Sequence, residues 1–415
     1  MQHINGERLW SSLMEMAQVG ATAKGGVCRL ALSEADGKGR DLFCRWCREA
    51  GLRVEVDGIG NLFARRGGKQ PDHPPVMVGS HLDTQPTGGR FDGVYGVLAA
   101  LEVVRTLNDL GIATRKPVEL VSWTNEEGSR FAPAMLGSAA FTGDITLEAA
   151  LAAADAQGMR VGAALDAIGY RGARAVGGVK VDTYFEAHIE QGPVLERNGN
   201  VIGVVTGGQG IRWFNVSVLG QGGHAGTVPM DFRRDALVAA AEMVQRLERI
   251  AVGFDPRAML TVGQIAIAGS SRNTIPGHVS FTIDLRHHED RAIDAIEQAI
   301  RAGLDEIARR RGVQAEIAMV WNSPFTPFDS ACVAAVANSA AALGYSHQEI
   351  VSGAGHDAIN MARYCPTAMV FIPCAGGLSH NEAESASPQH AAQGADVLFH
   401  AVLARAGAET RTASC

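Results

Sequence analysis

The chain has 415 residues, of which 46% are hydrophobic, and 44 acidic against 37 basic side chains give a formal net charge of −7 at pH 7. That length exceeds the usual span of one core, so two domains are expected, with apolar residues enough for buried sheets. An acidic balance with no Lys/Arg run excludes nucleic acid as the natural partner and leaves small molecules.

The first segment, MQHINGERLWSSLMEMAQ, lacks a basic region followed by an uninterrupted apolar stretch, and no segment approaches the ~18 apolar residues of a membrane span. A cytoplasmic protein with no membrane partner is expected. Seven cysteines without framework spacing fit a reducing compartment. Cys44 and Cys47, a lone CxxC in RDLFCRWCREAG, read as one face of a helix.

Across residues 6–208, helical stretches alternate with short apolar runs such as PPVMVGS and PVELVSW, the signature of a mostly parallel sheet covered by helices. PPVMVGSHLDT delivers His81 and Asp83 at a strand end. Residues two apart on an extended segment point the same way, so Asp83 can accept a hydrogen bond from the imidazole and fix its tautomer. GGRFDGVYGVLAALEVV places Asp92 in a glycine-rich loop opening a helix, where a carboxylate can bridge two metals or cap the helix. PVELVSWTNEEGSRF runs from a buried strand into Glu126 and Glu127. Adjacent carboxylates there are unfavourable unless a positive charge compensates, and a metal supplies it. Glu127 is assigned to the metal and Glu126 to proton transfer. Residues 147–164, rich in alanine, read as a surface helix, and TYFEAHIEQGPVLE carries His188, Glu190 and Gln191.

The pattern then changes. WFNVSVLG alternates with period two, residues 231–252 are helical, AMLTVGQIAIAG and HVSFTIDLR are strands, residues 289–311 are helical and QAEIAMVW is a strand. The order β-α-β-β-α-β is that of a ferredoxin-like split βαβ unit. In HVSFTIDLR, Val279, Phe281, Ile283 and Leu285 form an apolar face, and His278, Ser280, Thr282, Asp284 and Arg286 face the other way. Pro324 and Pro327 mark a return to the first domain, where PTAMVFIP is a strand, SHNEAE carries His380 and residues 387–406 are helical. The expected boundaries are 1–212 and 328–415 for the catalytic domain and 213–327 for the insertion. His81, Asp92, Glu127, His188 and His380 form an inventory of three ligands per metal with one shared. Such an inventory suits two metals about 3.5–4 Å apart.

In this order HLDT, FDGVYG, NEEGSRF, HIEQGPVLE, GQGGHAGTVPM, SRNTIPG, DLR and SHNEAE resemble the dinuclear-zinc amidohydrolases. That group comprises N-carbamoyl-L-amino acid hydrolases, bacterial-type β-ureidopropionases and allantoate amidohydrolases, relatives of zinc aminopeptidases and carboxypeptidases. The resemblance implies an α/β fold: a mostly parallel mixed-sheet catalytic domain with an inserted ferredoxin-like lid and dimerisation domain, hinged near Gly210 and Pro324. It implies two divalent ions per subunit, zinc first, with manganese, cobalt and nickel also suited to N/O ligands. His81, Asp92 and His188 would hold one, Asp92, Glu127 and His380 the other, with Glu126 as general base. By the same resemblance Arg286 clamps the substrate carboxylate, Asn273 and Gln191 make further polar contacts, and His224 crosses a homodimer interface to polarise the carbonyl oxygen in the neighbouring active site. The implied reaction is hydrolysis of the carbamoyl C–N bond of N-carbamoyl-L-amino acids or N-carbamoyl-β-alanine. Allantoate hydrolysis, dipeptide hydrolysis and a catalytically silent metal-binding dimerisation module are the alternatives.

Overall fold

The computed structural model describes residues 1–409. Two compact units divide the chain: Met1–Gly207 with the chain from Pro327, and Gly208–Thr326. The second unit therefore begins ahead of residue 213, because the strand Gly210–Leu219 already pairs within it.

In the first unit a mixed sheet runs in the order Arg53–Val56, Leu62–Arg66, Val118–Trp123, Val76–His81, Thr183–Ile189, Thr367–Ile372 and Ile202–Gly208. The central four strands are parallel and the flanking pairs antiparallel. All four central strands are buried throughout, their mostly apolar sequences interrupted by buried polar residues such as Glu119, Glu186 and His188, because helices cover both faces. Side chains alternate between those faces. Val76, Val78, Val118, Leu120, Phe185, Ala187, Val370 and Ile372 join the core formed with helices Gly6–Met16, Glu34–Glu49, Val94–Asp109 and Pro388–Ala406. Met77, Val121, Trp123, Tyr184, Met369 and Phe371 pack on the opposite side with Phe141 of Leu136–Thr142 and Met361 of Asp357–Ala362. Cys44 and Cys47 are buried on the inner face of Glu34–Glu49.

Residues 147–164 are not one helix. Leu147–Ala152 and Val161–Ile168 are separate, and Asp155 turns the chain between them by accepting the backbone N–H groups of Gln157 and Met159, each at 3.0 Å. A short polar side chain that offers the backbone such bonds competes with the helix ladder. No helix among the described residues is long and apolar enough to cross a membrane.

The second unit runs Gly210–Leu219, Ala236–Phe254, Met259–Thr261 with Ile265–Ala268, His278–His287, Asp290–Arg311 and Gln314–Ser323. Its antiparallel sheet has the order Met259–Thr261, His278–His287, Gly210–Leu219, Gln314–Ser323, a split βαβ arrangement. Val279, Phe281, Ile283 and Leu285 are buried against Ala239 and Met243 of one helix and Ile293, Ile296 and Ile300 of the other. The first helix starts at Ala236 rather than 231, because Met230–Phe232 forms a 3₁₀ turn and Asp235 caps the helix through Leu237 N–H and Val238 N–H.

Candidate metal centre

Parallel strands gather their C-terminal ends on one edge of a sheet, and loops leaving that edge can converge. Val76–His81 ends on His81, and Thr183–Ile189 carries His188 one residue from its end. The register Met77↔Tyr184 puts both histidines on one face, and their rings lie 5.8 Å apart. Asp92 sits between them, its Oδ1 3.2 Å from His188 Nε2 and 3.7 Å from His81 Nε2. Its Oδ2 is 3.4 Å from His380 Nε2, which stands at the same distance from Glu127 Oε2. Two ligand-type sets share Asp92, His81–Asp92–His188 and Asp92–Glu127–His380, and a third, Glu186–His188–His356, shares His188, the donor atoms of each lying within 4.8 Å of one another. His380 is 51% exposed and every other member is nearly or fully buried, so the second set is the one open to solvent.

The tautomers follow from the partners. His81 Nδ1 lies 2.9 Å from the Asp83 carbonyl and His188 Nδ1 2.9 Å from the Ile189 carbonyl. Carbonyls only accept, so both rings carry hydrogen on Nδ1 and turn Nε2 toward Asp92, where it offers a lone pair to a metal once the ring is neutral. This corrects one expectation: the Asp83 carboxylate is not the partner of the imidazole, lying 4.0 Å from Nδ1. It turns instead to the loop ahead, where it accepts the backbone N–H groups of Glu126 and Glu127 at 3.2 Å each. Asn125, in left-handed backbone conformation (φ 55°), gives that loop its bend and is held by Phe131 and Pro133 carbonyls. Gly93, with φ 67°, is needed at the foot of the Asp92 loop, since a Cβ there would stand 2.3 Å from the His81 ring.

Charge is crowded here. Burial first, then Asp357, Glu127, Asp83 and Asp92, push the Glu126 carboxyl well above its ordinary range. Burial, then Asp92 and Asp83, do the same to Glu127, and burial with Asp36 pushes Asp83 up to about 7. Burial lowers His81 to about 4. His188 is raised to about 8, burial opposing and Asp92 prevailing. Burial would also raise Asp92, but the His188 hydrogen bond and the nearby imidazoles hold it below its range. Carboxylates packed this closely call for cations, and an imidazole-plus-carboxylate donor set fits divalent transition metals.

Glu126 lines a cavity of about 130 Å³, shared with His81, Asp92, Glu127, His188 and His380 and closed on its apolar side by Ala134, Met135, Ala354 and Gly355. Its Oε2 is 3.5 Å from His81 Nε2. Gln191, expected to contact substrate, lines the same cavity and donates from Nε2 to Asp92 Oδ2 at 2.8 Å. The second unit carries the other expected residues. His224 pairs with Thr274 in a two-stranded ladder beside Asn273, and the Asn273 carbonyl accepts Ala225 N–H at 2.9 Å. Arg286 makes a forked pair with Asp284 in its own strand, at 2.9 and 2.7 Å.

Three contributors escaped the sequence reading. His356 lines the cavity, its ring 4.5 Å from that of His188 and its Nε2 buried without a hydrogen-bond partner. Its segment, GAGHDA, has the same glycine-punctuated His-Asp form as those singled out. Gln85, directly after HLDT, donates both its backbone N–H and its side-chain amide to Glu127, at 3.1 and 2.7 Å. Glu384, in the SHNEAE segment, accepts the backbone N–H groups of Phe91 and Asp92.

Residues 77–404 match the peptidase family M20/M25/M40. The chain is 50% identical over 97% of its length to an N-carbamoyl-L-amino-acid amidohydrolase of Rhizobium meliloti, again 97% of that protein, and 34% identical over 90% to an allantoate amidohydrolase of Bacillus subtilis, 91% of it. Among solved structures, a hydantoinase/carbamoylase family amidase from Burkholderia ambifaria superposes with a TM-score of 0.94 at 61% identity, covering 99% of both chains.

Proposed function

Because the chain belongs to the peptidase family M20/M25/M40 and is a hydrolase, we propose that it cleaves the carbamoyl C–N bond of N-carbamoyl-L-amino acids or N-carbamoyl-β-alanine. The observation that carries this reading is Glu126 beside two ligand sets sharing Asp92, in a cavity of about 130 Å³ that suits a carbamoyl-sized group. Divalent ions held by His81, Asp92 and His188 and by Asp92, Glu127 and His380 would supply Lewis acidity toward the substrate oxygen and lower the pKa of water toward neutrality. Glu126 takes the proton of the attacking water and returns it to the departing nitrogen. One water is consumed, and ammonia, carbon dioxide and the free amino acid are the products. Arg286 anchors the substrate carboxylate with the fork it now offers Asp284, and Asn273 and Gln191 add polar contacts. A panel of N-carbamoyl-L-amino acids, N-carbamoyl-β-alanine, allantoate and dipeptides tests the reading. Ammonia release from the carbamoyl compounds is expected, with Arg286→Ala raising KM for them. Turnover of allantoate or dipeptides alone would defeat it.

The second unit serves as lid and dimerisation domain, and His224 reaches the neighbouring active site of a homodimer. Support comes from its tautomer: Nδ1 accepts Gly226 N–H at 3.0 Å, so the neutral ring carries its hydrogen on Nε2 and can donate to an oxyanion. Mixing inactive His224→Ala with inactive Glu126→Gln protein under subunit exchange is expected to restore activity, because one site of the mixed dimer is whole. Demonstrated heterodimers without recovered turnover would place His224 in its own subunit's site or reduce it to a turn residue.

A further inference from the structure

His81 and His188 are delivered by strands of the sheet, whereas Asp92 and His380 come from loops. Something must hold those loops in one arrangement. Glu384 is 1% exposed and stands behind both. Its Oε1 accepts Phe91 N–H at 2.9 Å and Asp92 N–H at 3.1 Å, and its Oε2 accepts the hydroxyl of Ser379, the neighbour of His380, at 2.9 Å. That hydroxyl is also 3.0 Å from Asp92 Oδ2. Room for the carboxyl exists because residue 89 is glycine: a Cβ there would lie 2.2 Å from it.

We propose that Glu384 is a positioning residue that ties the Asp92 loop to the His380 loop, so that cation binding by Asp92, Glu127 and His380 depends on it more than binding by His81, Asp92 and His188. The proposal rests on the two-set reading above. A carboxylate shared by two sets must keep both oxygens in register with both. Main-chain hydrogen bonds to Glu384 fix the loop that carries Asp92, and the Ser379 link carries the constraint to the one exposed ligand. Outer partners of metal ligands commonly matter by about 10–100-fold in metal affinity. Glutamine at this position preserves the scheme, since its oxygen can take both N–H groups while its amide donates to Ser379 Oγ, whose hydrogen then goes to Asp92.

The test is zinc titration of metal-stripped full-length protein, with bound zinc per chain measured after dialysis and zinc-induced change in Tm as a second readout. His380→Ala identifies the zinc that belongs to the second set. Glu384→Ala is expected to weaken that same zinc about 10–100-fold while retaining the other, Glu384→Gln to bind both as the unaltered protein does, and Gly89→Ala, which displaces the carboxyl, to resemble Glu384→Ala. Ser379→Ala, which cuts the link without disturbing the Asp92 loop N–H groups, supplies the same reading should Glu384→Ala not fold. Unaltered zinc affinity in Glu384→Ala and Ser379→Ala, equal weakening of both zincs, or a glutamine variant as impaired as alanine overturns the proposal. An unaltered protein that binds no zinc overturns the ligand sets themselves and this inference with them, whereas zinc binding without carbamoyl hydrolysis leaves it standing and rejects only the proposed substrate.

Discussion

Glu126→Gln is expected to lower kcat by about 10²-fold or more with metal content unchanged, the loss associated with removing a general base. The two adjacent glutamates differ in what surrounds them. Glu127 is clasped by both nitrogens of Gln85 and faces His380, a ligand's setting. Glu126 faces His81 across 3.5 Å and lines the cavity, within reach of a bound molecule. The amide is isosteric and replaces a group whose charged form burial, and then the neighbouring carboxylates, already disfavour, so folding should not suffer. Glu127→Gln, by contrast, should lose metal. Metal analysis beside single-turnover kinetics checks the pair, and metal loss in Glu126→Gln with retention in Glu127→Gln would reverse the assignment.

Exhaustive chelation is expected to abolish hydrolysis, and a divalent transition metal to restore it. Stability adds a second, independent signature. In metal-free protein Asp83, Glu126 and Glu127 have folded-state pKa values raised above their ordinary ones, and His188 is raised from 6.5 to about 8. A group with a raised folded pKa holds more proton in the native state, so its contribution falls as pH rises toward that pKa. His81, lowered from 6.5 to about 4, opposes this in part near the lower end of that range, where the unfolded imidazole still titrates, and the depressed Asp92 acts only at lower pH. Between pH 6.5 and about 8 the metal-free site therefore destabilises the fold progressively. The drop in Tm on chelation should be larger at pH 8 than at pH 6.5. Full activity in verified metal-free protein, or a drop independent of pH, would contradict this account.

The central sheet was legible because PPVMVGS, PVELVSW and PTAMVFIP are apolar on both faces, and strands buried on both sides read that way. The split βαβ order was legible from period-two alternation, as in Val279, Phe281, Ile283 and Leu285. The sequence also exposed the ligand-type residues that the first unit brings together, because imidazoles and carboxylates cluster there in short glycine-punctuated segments. What it hid was direction. An HxD segment does not reveal that backbone N–H groups 43 and 44 residues on claim the Asp83 carboxylate. Left-handed backbone at Asn125, Gln191 and His380 is invisible where the residue is not glycine. Glu384 and His356 matter through partners distant in sequence, which no local pattern encodes.

Thr367–Ile372 lies between Thr183–Ile189 and Ile202–Gly208, pairing with both. During synthesis those two strands emerge early, and the strand that joins them follows only after the whole of Gly208–Thr326 has been made. Until then Thr183–Ile189 keeps an unpaired edge and Ile202–Gly208 lacks its sheet partners, which all lie later in the chain, and unpaired edges are open to a foreign strand. Gly208–Thr326, contiguous and with its own core, can meanwhile fold as a unit, as domains generally do. The first unit thus acquires the strand that joins its sheet, and the loop bearing His380 that follows it, late in translation, so a nascent chain carries most of the ligand-type residues long before they can be brought together.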